Sequence, residues 1–277
     1  MKVMSAHSGQ IKRLNNNALW AAFGLGLVII WLLLWEWSIR FGLSRQFFVP
    51  PSELIVLLYQ SLFVSGELRP HMWATVTRLI GGFIIGAVPA LYLGFIMGRN
   101  KRAWLRYGPI LTVLGLIPML SALPGFIIWF GVRDFGKWAI VSAAVFYPIL
   151  YCTTKGVRIS QRFWDEDSSI RVGMKPRDWA YTAGPWIFTG LKLGSIIGVA
   201  TLLGAEMYAS TSGLQFEVLV GGARFQMARA YTAMFAAAFL VYAIWLCLTL
   251  IEFALARRYT GNQSASANET LAHNPPV

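Results

Sequence analysis

Between Arg78 and Arg99 the chain reads LIGGFIIGAVPALYLGFIMG, which is twenty residues without a charge. A helix rises about 1.5 Å per residue, so about 20 residues cross the roughly 30 Å hydrocarbon core of a bilayer. Two other stretches are at least as long, with twenty-six uncharged residues within 106–133 and twenty-two within 229–252. The sequence therefore predicts several membrane-spanning helices.

The composition agrees with a membrane protein. Of the 277 residues, 56% are hydrophobic and 13% are charged, and the mean hydropathy is +0.55. Soluble domains contain about 25% charged residues. We predict an all-α polytopic membrane protein with a transmembrane domain at 18–258, a polar cytoplasmic tail at 1–17 and a disordered cytoplasmic tail at 259–277. The apolar runs predict six spans, at 19–35, 76–97, 107–131, 137–154, 187–208 and 230–254.

The segment 47–69 differs from these spans because polar residues interrupt it. Pro50 and Pro51 stop the preceding element, and Ser52 can cap a helix. Leucine and isoleucine then recur at helical spacing. The pattern indicates a short amphipathic helix at the membrane interface.

The distribution of Lys and Arg predicts the orientation of the spans. With the N-terminus inside, fifteen of these residues fall in inner segments and eight in outer segments. The positive-inside rule then places both termini in the cytoplasm. The eight outer residues either pair with lipid headgroups or favour an anionic substrate near the entrance. Because the basic residues lie between apolar runs and form no dense face, nucleic-acid binding is not predicted.

The sequence lacks patterns for catalysis or metal binding. Cys152 and Cys247 fall inside apolar runs and are expected to be small core residues. All three histidines lie outside the predicted spans, and no HExxH, CxxC or GxxxxGKS/T motif occurs. No pair of ionisable residues lies deep in the spans at helical spacing, so an intramembrane enzyme is disfavoured.

The third predicted span contains Pro118 and Pro124. Each proline removes a backbone donor and tends to kink a helix. The freed carbonyl groups are tolerated at membrane depth where protein or a water-filled cavity covers them. Both prolines are therefore candidates to line or gate a pathway. The alternative is that Pro and Gly are simply frequent in membrane helices.

The fifth predicted span has a packing strip and two ionisable residues. Glu206 lies near its outer end, where it either gates the mouth, pairs with a basic residue such as Arg133 or Arg229, or reaches out to the interface. Lys192, at the inner end, is expected to extend to cytoplasmic headgroups. Small residues four apart allow close helix packing, and here they are Gly190, Gly194 and Gly198.

An ordered series of short motifs resembles one family of permeases. The series includes Phe48-Val49-Pro50-Pro51-Ser52, Thr77-Arg78-Leu79, Phe146-Tyr147-Pro148, Thr189-Gly190-Leu191-Lys192-Leu193, Ala205-Glu206-Met207 and Ser212-Gly213-Leu214. In order and spacing it resembles, over about residues 45–255, the nitrate/sulfonate/taurine-type permeases of binding-protein-dependent ABC importers. The resemblance implies a fold like that of type I importer permeases, with about six transmembrane helices.

The longest inner loop, 155–184, carries charges of both signs among apolar residues, which suits either a docking surface or a solvated loop. In the resembled family the matching loop carries a Glu-Ala-Ala motif, a Gly and a Leu-Pro region, and it forms a coupling helix in a groove of the ATPase. The matching residues here are Asp167, Ser168, Ser169, Arg171, Gly173 and Pro185. Asp replaces Glu, serines replace alanines, and the stretch before Pro185 is shorter by about five residues.

The resemblance implies a permease subunit of an inner-membrane importer for a small anion such as a sulfonate, taurine, nitrate or bicarbonate; some family members carry pyrimidine-like compounds. It implies no cofactor in this chain, with ATP and Mg²⁺ held by cytoplasmic ATPase subunits. The other implied partners are a second permease, either identical or homologous, and a periplasmic or lipid-anchored solute-binding protein. The altered loop leaves one alternative, a degenerate permease that serves as a non-transporting scaffold or regulatory subunit.

Overall fold

The computed structural model describes residues 23–42, 47–166, 176–208 and 210–273, and every regular element in these ranges is helical. The α-helices are α1 Phe23–Phe41, α2 Pro51–Tyr59, α3 Arg69–Arg99, α4 Lys101–Gly115, α5 Leu123–Phe130, α6 Asp134–Glu166, α7 Pro176–Tyr208, α8 Leu214–Ala223 and α9 Met227–His273. A π-helical turn, Gln60–Val64, continues α2, and a 3-10 turn, Met119–Ala122, precedes α5.

Within the described ranges, five helices are long and apolar enough to cross a bilayer: α1, α3, α6, α7 and α9. A sixth candidate span consists of α4 followed by Met119–Phe130, two pieces that meet at a bend of 76°. The bend lies where the sequence has Gly115 and Pro118, since α4 ends at Gly115 and Pro118 adopts an extended backbone. The predicted all-α polytopic fold with about six spans is confirmed.

Helix α6 forms the centre of the molecule, with α3 on one side and α7 on the other. The side chains of Ile140, Val145 and Ile149 on α6 are fully buried. Helix α3 approaches α6 closely because it presents glycines, and Gly86 lies directly against the backbone of Ser142. Lipid tails are as apolar as these side chains, so the packing is stabilised mainly by van der Waals contacts between close backbones.

Helices α1, α2 and α9 lie on the outside of this core. Trp35 of α1 packs against Phe235 of α9, with ring centroids 5.9 Å apart. The residue before α2 is Pro50, and it makes no side-chain cap. The prediction that Ser52 caps this helix is wrong, because its hydroxyl donates to Glu36 Oε1 at 2.7 Å and so ties α2 to α1.

The two ends of the bundle are named here by one residue each. The Arg78 end contains the N-termini of α3 and α6 and the C-terminus of α7, and the positive-inside rule predicts that it faces outward. The Arg158 end contains the C-terminus of α6 and the N-terminus of α7. Lys192 Nζ, expected to reach headgroups at this inner end, instead lies 2.5 Å from Glu252 Oε2 on α9.

Most helices extend beyond the predicted apolar spans. Helix α6 continues to Glu166 and α7 begins at Pro176, so the segment 155–184 is helical on both sides of residues 167–175, which lie outside the described residues. The segment between the fifth and sixth predicted spans, 187–208 and 230–254, contains α8. The backbone of α9 remains helical to His273, past the predicted start of the tail at 259, and no proline interrupts it before Pro275.

Candidate functional site

Polar side chains cluster on one face of α3 at the Arg78 end. His71, Thr75 and Arg78 are spaced by four and three residues, which places them on the same side of a helix. Thr75 is fully buried and Arg78 is 5% exposed. Their partners lie on α6, on α7, on α8 and on the segment that joins α7 to α8. We call Thr75, Arg78, Glu206 and Ser212 the Arg78 cluster.

Arg78 and Glu206 form a buried ion pair at the centre of this cluster. Arg78 Nη1 donates to Glu206 Oε1 at 3.0 Å and to the Ser212 carbonyl oxygen at 2.6 Å. Its Nη2 donates to Ser212 Oγ at 2.8 Å, and its Nε donates to Asp134 Oδ1 at 2.6 Å. The guanidinium thus links α3 to α6, to α7 and to the α7–α8 connection, which its fixed fork of donors allows.

The Glu206 side chain is fully buried and its carboxylate has several donors. Besides Arg78, it accepts from the Thr75 hydroxyl at 2.9 Å and from the backbone N–H of Gln215 at 3.3 Å. The Thr75 oxygen in turn accepts from the backbone N–H of Leu214 at 2.9 Å. A buried carboxylate needs such compensation, because removing it from water without partners costs several kcal/mol. The cluster therefore fixes the first turn of α8 against α3 and α7.

A second buried carboxylate lies beside the cluster. Glu217 of α8 is 3% exposed, and its Oε1 lies 3.1 Å from His71 Nε2. Its Oε2 accepts from Nε of Arg229 on α9. His71 Nδ1 accepts from the Gly213 N–H at 3.3 Å, so Nε2 is the ring nitrogen that carries the proton toward Glu217. This pairing connects α3, α8 and α9 at the same end of the bundle.

Two features of the structure require a glycine at position 213, where the α7–α8 connection passes the Arg78 cluster. Its φ of +128° is rarely adopted by residues with a side chain, and a Cβ there would lie 2.4 Å from Glu206 Cδ. We predict that Gly213→Ala lowers the free energy of unfolding by about 2 kcal/mol more than Gly131→Ala. Gly131 is a matched control because its φ is also positive, +78°, and it has no neighbouring atom within 4 Å of a built Cβ.

Urea titration of the purified variants, followed by tryptophan fluorescence, measures this difference. Equal loss of stability in Gly213→Ala and Gly131→Ala would show that only backbone conformation matters at both positions, and that Gly213 is not pressed against Glu206.

A cavity of about 580 Å³ opens beside the Arg78 cluster. It lies where the N-terminus of α6 meets the connection between α7 and α8. Its lining includes three basic residues and one acidic residue, and consists of Arg78, Val132, Arg133, Asp134, Lys137, Tyr208, Ser210, Thr211 and Ser212. We call it the outer cavity.

A further cavity, of about 430 Å³, lies toward the Arg158 end of α6. Arg158 lies over the ring of Trp104 at 5.7 Å, and Lys155 lies over the ring of Trp186 at 4.6 Å. Both cavities therefore have basic side chains from α6, one at each end of the helix. Among the described residues, no group of three or more His, Cys, Asp or Glu side chains could hold a metal ion.

The structure corrects the expected partner of Glu206. The carboxylate pairs with Arg78, not with Arg133 or Arg229, and it is buried where it cannot extend to the interface. Arg229 pairs with Glu217 instead. The sequence does not single out Arg78 as the partner, because Arg78 stands at the boundary of an apolar run. The spacing of His71, Thr75 and Arg78 on one helical face is nevertheless a signal for a polar contact surface.

The other candidate pathway and packing residues lie elsewhere in the bundle. Pro118 and Pro124 flank the 3-10 turn at the bend between α4 and α5, where Leu120 packs against Gly204 of α7. The glycine strip of α7 lies directly against α6: Gly190 against Cys152, Gly194 against Ile149, and Gly198 against Val145.

Most candidate ATPase-coupling residues fall in the segment between α6 and α7. Asp167, Ser168, Ser169, Arg171 and Gly173 lie outside the described residues. Pro185 lies inside α7, and its carbonyl oxygen accepts from the Thr189 hydroxyl at 2.8 Å.

Sequence comparison relates the chain to known permeases. It is 28% identical over 207 residues to SsuC of Bacillus subtilis (strain 168), a permease protein named for aliphatic sulfonates transport, and the match covers 71% of this chain and 72% of SsuC. It is 27% identical over 207 residues to TauC of Escherichia coli (strain K12), the taurine transport system permease protein, covering 72% and 75%. It is 24% identical over 243 residues to RibX of Chloroflexus aurantiacus, the riboflavin transport system permease protein, covering 86% and 91%. No family model matches the chain.

The helices define the class first: the chain is an all-α polytopic membrane protein. Its relatives then place it more closely, because they are named as permeases of transport systems, several of them as ABC transporter permeases. The chain is related to the ABC transporter permeases, and the general role that this relationship supports is that of a permease.

Proposed function

We propose that the chain is the membrane subunit of an ATP-driven importer that carries a small organic anion inward. The observation that carries this proposal is the match, over about 70% of both chains, to permeases named for sulfonate and taurine transport. In this arrangement a solute-binding protein delivers the anion to the Arg78 end, and both termini are cytoplasmic. The chain itself performs no hydrolysis; cytoplasmic ATPase subunits bind ATP and Mg²⁺ and drive the transport cycle.

The lengths of α6 and α7 support contact with a cytoplasmic ATPase. Each helix has 33 residues, which corresponds to about 50 Å, whereas the hydrocarbon core is about 30 Å thick. The C-terminal end of α6 and the N-terminal end of α7 therefore extend beyond the apolar layer at the Arg158 end, where a soluble subunit can reach them. We propose that Asp167, Ser168, Ser169, Arg171 and Gly173 contact the ATPase, while Pro185 lies further along α7.

The broken span between α4 and α5 supports a transport pathway. Its bend interrupts the helix at Pro118, which has no backbone N–H to donate, and such interruptions are accommodated at membrane depth where they face protein or a water-filled path. We propose that Pro118 and Pro124 lie beside the solute pathway, which forms between this chain and a second permease. Glu206 acts there by holding the Arg78 end in place.

Co-purification tests the proposed coupling. The tagged chain is expressed together with its neighbouring genes and isolated in mild detergent, with Asp167→Lys and Gly173→Pro as test variants. We expect the ATPase to remain bound to the native chain and to be lost, by at least tenfold in yield, from both variants, because a reversed charge and a helix-breaking proline disrupt a docking helix.

Arg224→Ala, on the exposed surface at the opposite end, is the matched control and should retain the ATPase. Folding is monitored in every preparation by a monodisperse gel-filtration peak. A folded native chain that binds no ATPase would contradict the importer and favour a membrane scaffold.

A further inference from the structure

The outer cavity contains a buried lysine that forms no ion pair within 4 Å among the described residues, although the carboxylates of Asp134 and Glu206 act on it from a longer distance. Lys137 lies in the first turns of α6, is 5% exposed, and donates from Nζ to the Val132 carbonyl oxygen at 3.0 Å. An ammonium group has three donors, and this is its one hydrogen bond within the described residues. Burying a cation is costly unless it is paired, so its position at the cavity wall calls for an anion or water inside.

Two other groups in the lining have spare hydrogen-bonding capacity. Ser210 Oγ is buried and has no hydrogen-bond partner among the described residues. The guanidinium of Arg133 also lines the cavity, and it forms no ion pair within the part of the chain that the structure describes. Arg78, by contrast, is already engaged by Asp134, Glu206 and Ser212. Lys137, Arg133 and Ser210 are therefore the groups available to a ligand.

The charge of the cavity favours an anion. The lining contains three cations, Arg78, Arg133 and Lys137, and one carboxylate, Asp134, which leaves an excess of two positive charges. Glu206 lies behind Arg78 and reduces the excess to one. The volume, about 580 Å³, lies in the range of about 300–1,000 Å³ that is usual for small-molecule sites.

We propose that the outer cavity binds the oxyanion group of a small organic anion, such as an alkyl sulfonate, between Lys137, Arg133 and Ser210. This inference rests on the proposed function, because the bound anion is the solute that enters the pathway. Lys137 and Arg133 supply the charge, and the Ser210 hydroxyl donates one hydrogen bond to an oxyanion oxygen. An uncharged analogue of the same shape lacks the attraction to Lys137 and binds weakly.

Binding is tested on the purified full chain in phosphatidylcholine nanodiscs, without ATPase. Ethanesulfonate is the probe, and ethanesulfonamide is its uncharged analogue at neutral pH. Affinity is measured by isothermal titration at constant ionic strength. We expect saturable binding of ethanesulfonate only, a loss of at least tenfold in Lys137→Met, a two- to fivefold loss in Ser210→Ala, and retention in Lys137→Arg. The matched control is Arg224→Met, an exposed cation outside the cavity lining, which should leave the affinity unchanged.

The expected pattern distinguishes a binding site from a purely structural lysine. Equal affinity for the sulfonate and the sulfonamide, or unchanged affinity in both Lys137→Met and Ser210→Ala, would overturn the proposal. If Lys137→Met does not fold, Ser210→Ala and Arg133→Met provide the same comparison without altering the Lys137–Val132 hydrogen bond. If the chain co-purifies with an ATPase but binds no sulfonate, the proposed anion site is contradicted and the proposed importer function is not. If the chain binds sulfonate but co-purifies with no ATPase, the proposed importer function is contradicted and the anion site is not.

Discussion

Arg78→Ala is expected to lower the free energy of unfolding by about 3–5 kcal/mol, because it leaves the Glu206 carboxylate buried without its cation. Glu206 is fully buried, and Arg78 also provides the contacts that hold Ser212 and Asp134. The loss therefore includes the fixed position of the α7–α8 connection. Chemical denaturation in mixed micelles, followed by tryptophan fluorescence, measures the change.

A double-mutant cycle separates the ion pair from the other contacts of Arg78. Glu206→Gln alone should also lower the stability of the protein, because an unpaired guanidinium remains buried. The double variant Arg78→Met with Glu206→Gln should recover part of the lost stability, because neither charge is left. Asp134→Asn is the matched control, because its side chain is 60% exposed and its pairing with Arg78 should contribute less than about 1 kcal/mol. Additive effects of Arg78→Met and Glu206→Gln would mean that the two residues are not coupled.

Gly86→Val is expected to prevent stable packing of α3 against α6, with a loss of about 3 kcal/mol or more, or no folded protein at all. A Cβ at this position would lie 2.4 Å from the Ser142 carbonyl oxygen and 2.5 Å from Val145 Cγ2. The first of these atoms belongs to the backbone, so the contact can be relieved only by moving the two helices apart. Such a shift would forfeit the van der Waals contacts along the whole seam.

The matched control for Gly86 is Gly184 on α7, which has no atom within 4 Å of a built Cβ. Gly184→Ala should be neutral or slightly stabilising, because alanine has the higher helix propensity. Gly194→Val should resemble Gly86→Val in direction, since a Cβ there would lie 2.8 Å from Ile149 Cγ1. The yield of monodisperse protein and its denaturation midpoint measure all three variants. A Gly86→Val protein as stable as Gly184→Ala would show that α3 and α6 do not pack in the described register.

The spans were predictable because a bilayer imposes a length and an apolar composition on each one. The polar ends of the helices were not predictable, because hydropathy identifies only the apolar part of a helix. The polar turns that continue the helix into water have no such signal. Helix α6 thus continues to Glu166 beyond a predicted end at 154, and α7 begins at Pro176 although its span was predicted from 187. Helix α8 was missed for a related reason: Leu214–Ala223 is too short to cross a membrane, and it begins after a glycine with positive φ instead of a polar cap.

By itself the sequence determined that the chain is an all-α membrane protein with a proline-broken span and a glycine strip on α7, because those properties depend on local composition and spacing. Only the tertiary structure decided the partner of Glu206 and the lining of the outer cavity. Arg78 and Glu206 are 128 positions apart, and Arg133 and Arg229, at the same end of the bundle, carry the same charge as Arg78. Which of them meets the carboxylate depends on how closely α3 and α7 pack around α6, and that distance is set by the glycines at their contacts with α6.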